Sequence, residues 1–289
     1  MSRILEALRR AEAEREMDNG GERREQEPAL EVILGAAQRK PRAELSFAPL
    51  EYHYNREHLR AGSLDPNTHA AAERFRQLRY RLEAWRARQP NGVLLVTSAI
   101  PGEGKTLVAT NLAESLALAS ARVLLIDADM RRPGVAESLS LEPLPGLTEV
   151  LKGELRWQDA CRHLNPLGYD YLPAGTATEK AAELLHANAL QQLLGEVSEE
   201  FDWVIIDSAP LAPFADSLYL AAASRGVLLV ARERFTPTDV LEKVLASLRE
   251  FPLIGMVLNA VSERERDGYY YYYGKRGEAT RLETANRHE

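Results

Sequence analysis

The segment Ser98-Ala99-Ile100-Pro101-Gly102-Glu103-Gly104-Lys105-Thr106 joins an apolar run, Leu94-Leu95-Val96-Thr97, to a stretch with helical periodicity. A glycine-rich turn at that place lets backbone N–H groups converge on phosphate oxygens at a helix N-terminus. Lys105 supplies a cation for β- and γ-phosphates, and Thr106 offers a hydroxyl to Mg²⁺. With Pro101, Gly102, Glu103, Gly104 and Leu107 they form a candidate nucleotide site, with ATP and Mg²⁺ as the implied cofactors. The common G-x-x-x-x-G-K-[ST] form expects glycine where Ala99 stands, so the match rests on the strand–loop–helix context. An ordinary glycine-containing turn is the competing reading.

Two further apolar runs end in carboxylates. Val123-Leu124-Leu125-Ile126 leads into Asp127-Ala128-Asp129-Met130-Arg131, and Val204-Ile205-Ile206 leads into Asp207-Ser208-Ala209-Pro210. In a parallel sheet such strand ends share one edge, where ligands bind, so Asp127, Asp129 and Asp207 can surround a metal and a transferred phosphoryl group. Helix caps and turns are the alternative use of the same residues. Near the other end of the sequence, Tyr269, Tyr270, Tyr271, Tyr272 and Tyr273 stand together between Gly268 and Gly274. An exposed tail, an aromatic strand, an interfacial anchor and a stacking surface for single-stranded nucleic acid all fit that composition.

The elements that position these groups follow from periodicity. Phe75, Leu78, Leu82 and Trp85 make a 3-4-3 stripe that predicts a helix from Asn67 to Arg88. Short apolar runs at 93–97, 123–126, 169–172, 203–206, 226–231 and 253–258 read as strands, and segments 105–119, 179–197, 214–223 and 238–250 as helices. The expected fold is α/β and P-loop NTPase-like, a mainly parallel sheet covered by helices on both faces, with a flexible tyrosine-rich tail. The expected organisation is an amphipathic helix over 1–17, a charged linker over 18–65 with short ordered pieces, a phosphate-loop domain over 66–261 and a tail over 262–289.

Composition narrows the function classes. A net charge of −7 argues against general nucleic-acid binding, and the single Cys161 cannot form an intrachain disulfide. The six histidines lack metal-ligand spacing. No apolar run reaches the ~18 residues of a membrane span, and the first residues lack a secretory h-region. A cytoplasmic location is expected, with any membrane contact made through a partner or a surface contact.

Taken together, the phosphate loop without its first glycine, the Asp127-x-Asp129-x-Arg131 element and the Asp207-Ser-Ala-Pro element resemble the bacterial tyrosine kinases of capsule and exopolysaccharide synthesis. The likeness covers about 67–273, and the opening Met-Ser-Arg-Ile-Leu-Glu-Ala-Leu-Arg-Arg resembles stand-alone members of that family. It implies that Asp129 and Asp207 hold the metal or its waters, that Asp127 is the base for a tyrosine hydroxyl, and that Arg131 steadies the acidic loop or the phosphates. It implies autophosphorylation of Tyr269–Tyr273 in a neighbouring subunit. Glu73, Arg76 and Arg79 lie off the apolar stripe at a spacing that alone reads as a solvated face. The family pattern Glu-x-x-Arg-x-x-Arg implies instead a ring-like homo-oligomer. A membrane polysaccharide co-polymerase or chain-length determinant, recruiting the chain to the inner face of the plasma membrane, and a cognate tyrosine phosphatase are the implied partners. An ATPase switch like those of plasmid partition and division-site placement is disfavoured, because Ser98-Ala99 stands where those proteins carry a further lysine. A nucleotide-bound scaffold of polysaccharide export is the third reading.

Overall fold

The computed structural model describes residues 48–51, 66–186, 188–214 and 216–261. The expected N-terminal helix, most of the linker and the tyrosine cluster lie outside the described residues. Within the linker stretch, Ala48–Glu51 forms a strand, β1, one short ordered piece of it.

Helix α1 (Pro66–Arg86) precedes β2 (Val93–Ser98), α2 (Lys105–Ala117) and β3 (Val123–Asp127). Three short helices follow, α3 (Val135–Ser138), α4 (Leu147–Leu151) and α5 (Trp157–Ala160), then β4 (Arg162–Asn165) and β5 (Tyr169–Leu172). The rest alternates: α6 (Ala181–His186), α7 (Asn188–Glu200), β6 (Trp203–Asp207), α8 (Asp216–Ala223), β7 (Gly226–Arg232), α9 (Thr238–Ser247) and β8 (Leu253–Asn259). The strands form one sheet in the order β1-β4-β5-β3-β6-β2-β7-β8. All neighbours are parallel except β4 and β5.

Alternation along each central strand builds two apolar layers, because successive side chains leave opposite faces. Val93, Leu95, Leu124, Ile126, Val204 and Ile206 pack with residues of α7, α8 and α9. Leu94, Val96, Val123, Leu125, Trp203 and Ile205 pack with residues of α1, α2 and α3. Burial on both faces explains why these strands read as unbroken apolar runs. Leu82 is buried and Phe75, Leu78 and Trp85 pack partly buried beside it, so the predicted stripe is the inner face of α1.

Two expectations are corrected. The segment 179–197 holds two helices, α6 and α7, and its second half extends to Glu200. Strand β4 was not expected: its four residues Arg-His-Leu-Asn are largely polar, and it owes its conformation to pairing with β1 and β5 rather than to its own apolar content. Leu82→Ala opens a cavity under α1, with an expected loss of about 2–5 kcal/mol of folding stability. Urea unfolding monitored by circular dichroism checks this.

Candidate active site

Register brings the chemical groups to one edge. Asp127 at the end of β3 pairs directly with Asp207 at the end of β6, and Val96 of β2 pairs with the same Asp207. The loop after β2 therefore opens beside both acids. Ala128 N–H donates to the Asp207 carbonyl at 2.7 Å, and Leu211 and Ala212 N–H groups donate to the Ser98 and Ala99 carbonyls, so the three strand exits are tied to one another.

Ala99 is fully buried in the core, which accounts for a methyl group where the common motif has glycine. Gly102 and Gly104 have φ values of 84° and 90°, a left-handed backbone that glycine adopts without steric cost. A Cβ on Gly104 would also stand 2.2 Å from the Asn259 side chain. Asn259 Nδ2 donates to the Glu103 carbonyl at 2.9 Å, and Arg232 donates to the Gly102 carbonyl at 3.3 Å. Glu103 points inward: its carboxylate accepts from Ile100 N–H at 2.7 Å and from the Thr236 hydroxyl. Its side chain is thus a staple within the loop, and only its backbone faces the phosphate side. Pro101, Gly102 and Leu107 are exposed at the rim.

Lys105 Nζ lies 3.2 Å from Asp129 and 3.6 Å from Asp207. Burial pulls its ammonium down, but Asp207 first and then Asp129 outweigh it, leaving its pKa raised. Thr106 donates to Asp207 Oδ2 at 2.6 Å. Asp207 Oδ1 is buried and accepts no hydrogen bond. Burial raises the Asp207 carboxyl against the opposing pull of Lys105 and Thr106. Asp127 is fully enclosed, accepting from Asp129 N–H at 3.1 Å, Gly134 N–H at 3.2 Å and Val135 N–H at 3.0 Å. Burial, and next the charge of Asp207, pushes it up to about 8.

Such an arrangement suits a divalent cation. Asp207 Oδ1, met only by the Lys105 ammonium at 3.6 Å, lies beside the Thr106 hydroxyl, and the two are hard oxygens of the kind Mg²⁺ takes, one or two from the protein and the rest from phosphates and water. Accordingly, no group of three or more His, Cys, Asp or Glu side chains is arranged to hold a metal among the described residues.

Arg131 is placed away from the phosphate role. Its guanidinium makes a two-pronged pair with Asp216, at 2.5 and 3.3 Å, meets Glu179 at 3.0 Å and lies 4.7 Å from the Phe214 ring centroid. A guanidinium committed to a buried carboxylate is a strut for the acidic loop. Asp216, Thr236 and Asn259 escaped the sequence reading, since each acts on a residue at least 85 positions away and only tertiary proximity reveals the pairing. Glu73 and Arg76 pair with each other at 2.6 Å on the exposed side of α1. Arg79 instead reaches the Ser115 carbonyl at 2.7 Å and lies 3.5 Å from Glu83. Cys161 is buried, and burial pushes its thiol up, so it is no nucleophile. Among the described residues no helix is long and apolar enough to cross a membrane.

Residues 93–251 match a family described as an AAA domain. The chain is 32% identical over 203 residues to the tyrosine-protein kinase YwqD of Bacillus subtilis, covering 70% of this chain and 86% of that one. It is 33% identical over 208 residues to the succinoglycan biosynthesis transport protein ExoP of Rhizobium meliloti, covering 70% of this chain. It spans 26% of the length of ExoP, and 27–30% of other long relatives that it matches. The solved kinase domain of the Escherichia coli tyrosine kinase ETK is similar with a TM-score of 0.65 and 26% identity, over 79% of this chain and 88% of that one.

The raised pKa of Asp127 has a definite sign. A carboxyl near 4 in the unfolded chain and about 8 in the fold means that the native state holds the extra proton, so stability is lost as pH rises between those values. Asp127→Asn removes that dependence and adds only a pH-independent cost for a lost acceptor. In scanning calorimetry without nucleotide, the melting temperature of the variant relative to wild type is expected to climb from about pH 5 to about pH 8; a flat difference would mean that Asp127 is ionised throughout.

Proposed function

The chain belongs to the family of bacterial tyrosine kinases, and from that premise we propose that it transfers the γ-phosphoryl group of ATP to Tyr269–Tyr273 of a neighbouring subunit. The observation that carries this reading is the buried Lys105–Asp129–Asp207–Thr106 constellation at the mouth of the phosphate loop, in a chain with five adjacent tyrosines beyond its last strand. In this reading the loop N–H groups and Lys105 would hold the β- and γ-phosphates, and Thr106, Asp207 and Asp129 would hold Mg²⁺, directly or through its waters. When bound, Mg²⁺ would supply neutralisation of the charge that develops on the phosphate oxygens.

Asp127 takes the phenolic proton. A carboxyl held near pKa 8 exchanges a proton at neutral pH with little driving force either way, the condition that suits a general base. Its cover of Gly134 and Val135 N–H groups has to open for the tyrosine to reach it. The tyrosine oxygen then bonds to the γ-phosphorus as the bond to the β-phosphate oxygen breaks, and ADP leaves.

The likeness to ExoP, a succinoglycan biosynthesis transport protein, supports a place in exopolysaccharide assembly. A membrane polysaccharide co-polymerase as activator and a tyrosine phosphatase as counterpart complete the proposal. For self-assembly through Glu73 and Arg76, their mutual ion pair must be exchanged for pairs across the interface. Arg79, tethered to Ser115, contributes by fixing the helix on α2.

Incubation with Mg-ATP and peptide mapping is expected to find phosphate on Tyr269–Tyr273 in wild type and none in Lys105→Met. Steady ADP release with an unmodified cluster, even with the partner's cytoplasmic segment present, would point to an ATPase switch instead. Full modification adds about −8 to −10 charges to a chain already at −7, so phosphorylated protein is expected to sediment as a smaller species than unmodified protein at equal concentration.

A further inference from the structure

Helix α1 carries two sets of arginines. Arg76 is paired with Glu73, Arg79 is tied to Ser115 and Glu83, and Arg86 donates to the Asp202 and Gln89 carbonyls. Arg74 and Arg81, with Arg88 in the turn that follows the helix, are exposed, and among the described residues no hydrogen bond or ion pair engages their guanidinium groups. At 100° and 1.5 Å per residue, the seven-residue spacing lines these three up within about 40° of one another and about 10 Å apart. The result is a one-sided row of guanidinium groups on an acidic protein.

The row has a definite position. Arg79 marks the flank of α1 that faces α2. The Arg74–Arg81–Arg88 row lies across the apolar stripe from it, next to Trp85, whose ring lines the space at Gly226 together with Ile254 of β8. Strand β8 is the edge of the sheet, and the chain continues from it toward the tyrosine cluster. The free arginines therefore border the edge from which the tail departs.

We propose that this row is a docking site for the phosphorylated tyrosine cluster of the chain's own tail, an inference that rests on the autokinase reading above. Each phosphotyrosine brings about −1.5 to −2 charges and oxygens that match the guanidinium fork. Eight residue steps from Val261 to Tyr269 reach at most about 28 Å, more than the roughly 23 Å length of β8, so the cluster can fold back along the helix. Five extended residues span about 14 Å, enough to bridge two neighbouring arginines. Covalent attachment supplies an effective concentration in the millimolar range, which a lipid surface facing a chain of charge −7 lacks. Docking in cis withdraws the modified tail from a neighbour's active site while leaving the Glu73–Arg76 flank uncovered.

The test uses synthetic peptides of residues 262–280, phosphorylated on Tyr269–Tyr273 or unmodified, titrated by fluorescence anisotropy into the full-length Lys105→Met chain. Because the peptide is made chemically, its binding does not depend on whether the chain is an autokinase; mapping of the chain after Mg-ATP tests that separately. The phosphopeptide is expected to bind, the unmodified one to bind at least tenfold more weakly, and the triple change Arg74→Gln, Arg81→Gln, Arg88→Gln to weaken the phosphopeptide at least tenfold. A control triple of equal charge, Lys152→Gln, Lys180→Gln, Lys243→Gln, is expected to change it less than twofold. Both triples are at exposed sites, and thermal melts check that they fold. Absence of phosphopeptide binding, or equal loss in both triples, overturns the proposal. So does a row needed for binding phosphatidylserine vesicles but not the phosphopeptide, which would make it a membrane contact.

Discussion

The ammonium of Lys105, held between Asp129 and Asp207 at the ends of parallel strands, is the interaction around which the rest of the site is arranged. Strands β3 and β6 are in register at Asp127 and Asp207, so the sheet itself forces two acids together in a dry place. Besides burial, the charge of Asp207 raises the Asp127 carboxyl and the charge of Asp129 raises that of Asp207. Asp207 Oδ1, met only by the Lys105 ammonium at 3.6 Å, is the oxygen that a divalent cation would take.

Phosphate binding further requires that the loop not collapse on its own lysine. Here the loop is fixed from outside its own sequence: Thr236 grips the inward-facing Glu103, Arg232 and Asn259 hold the carbonyls of Gly102 and Glu103, and Asn259 closes the space that Gly104 leaves open. A loop braced in this way needs little reorganisation to receive a phosphate. The acidic loop has its own brace in the Arg131–Asp216 pair.

Helix α1 joins this site to events beyond it. One flank is fastened to α2, the helix that begins at Lys105, and the other borders the edge strand that leads to the tyrosines. The strand end that braces the loop at Asn259 is also the point from which the chain runs on toward the tyrosine cluster.

Sequence alone determined the alternating α/β order, the phosphate loop, the strand-end acids and the inner face of α1, because each is written in local spacing: apolar runs, a 3-4-3 stripe, and glycines before a lysine. It placed Glu103 in the nucleotide site by its neighbours in the chain, and left Arg131 between the acidic loop and the phosphates. Tertiary structure turned Glu103 inward to Thr236 and Arg131 aside to Asp216, partners 133 and 85 residues away. It also made a strand of the polar segment Arg162–Asn165 and decided which arginines of α1 are engaged by other described residues. Local pattern fixes which way a residue faces on its own element; which charge or donor meets it there depends on how distant segments pack, and spacing along the chain carries no record of that.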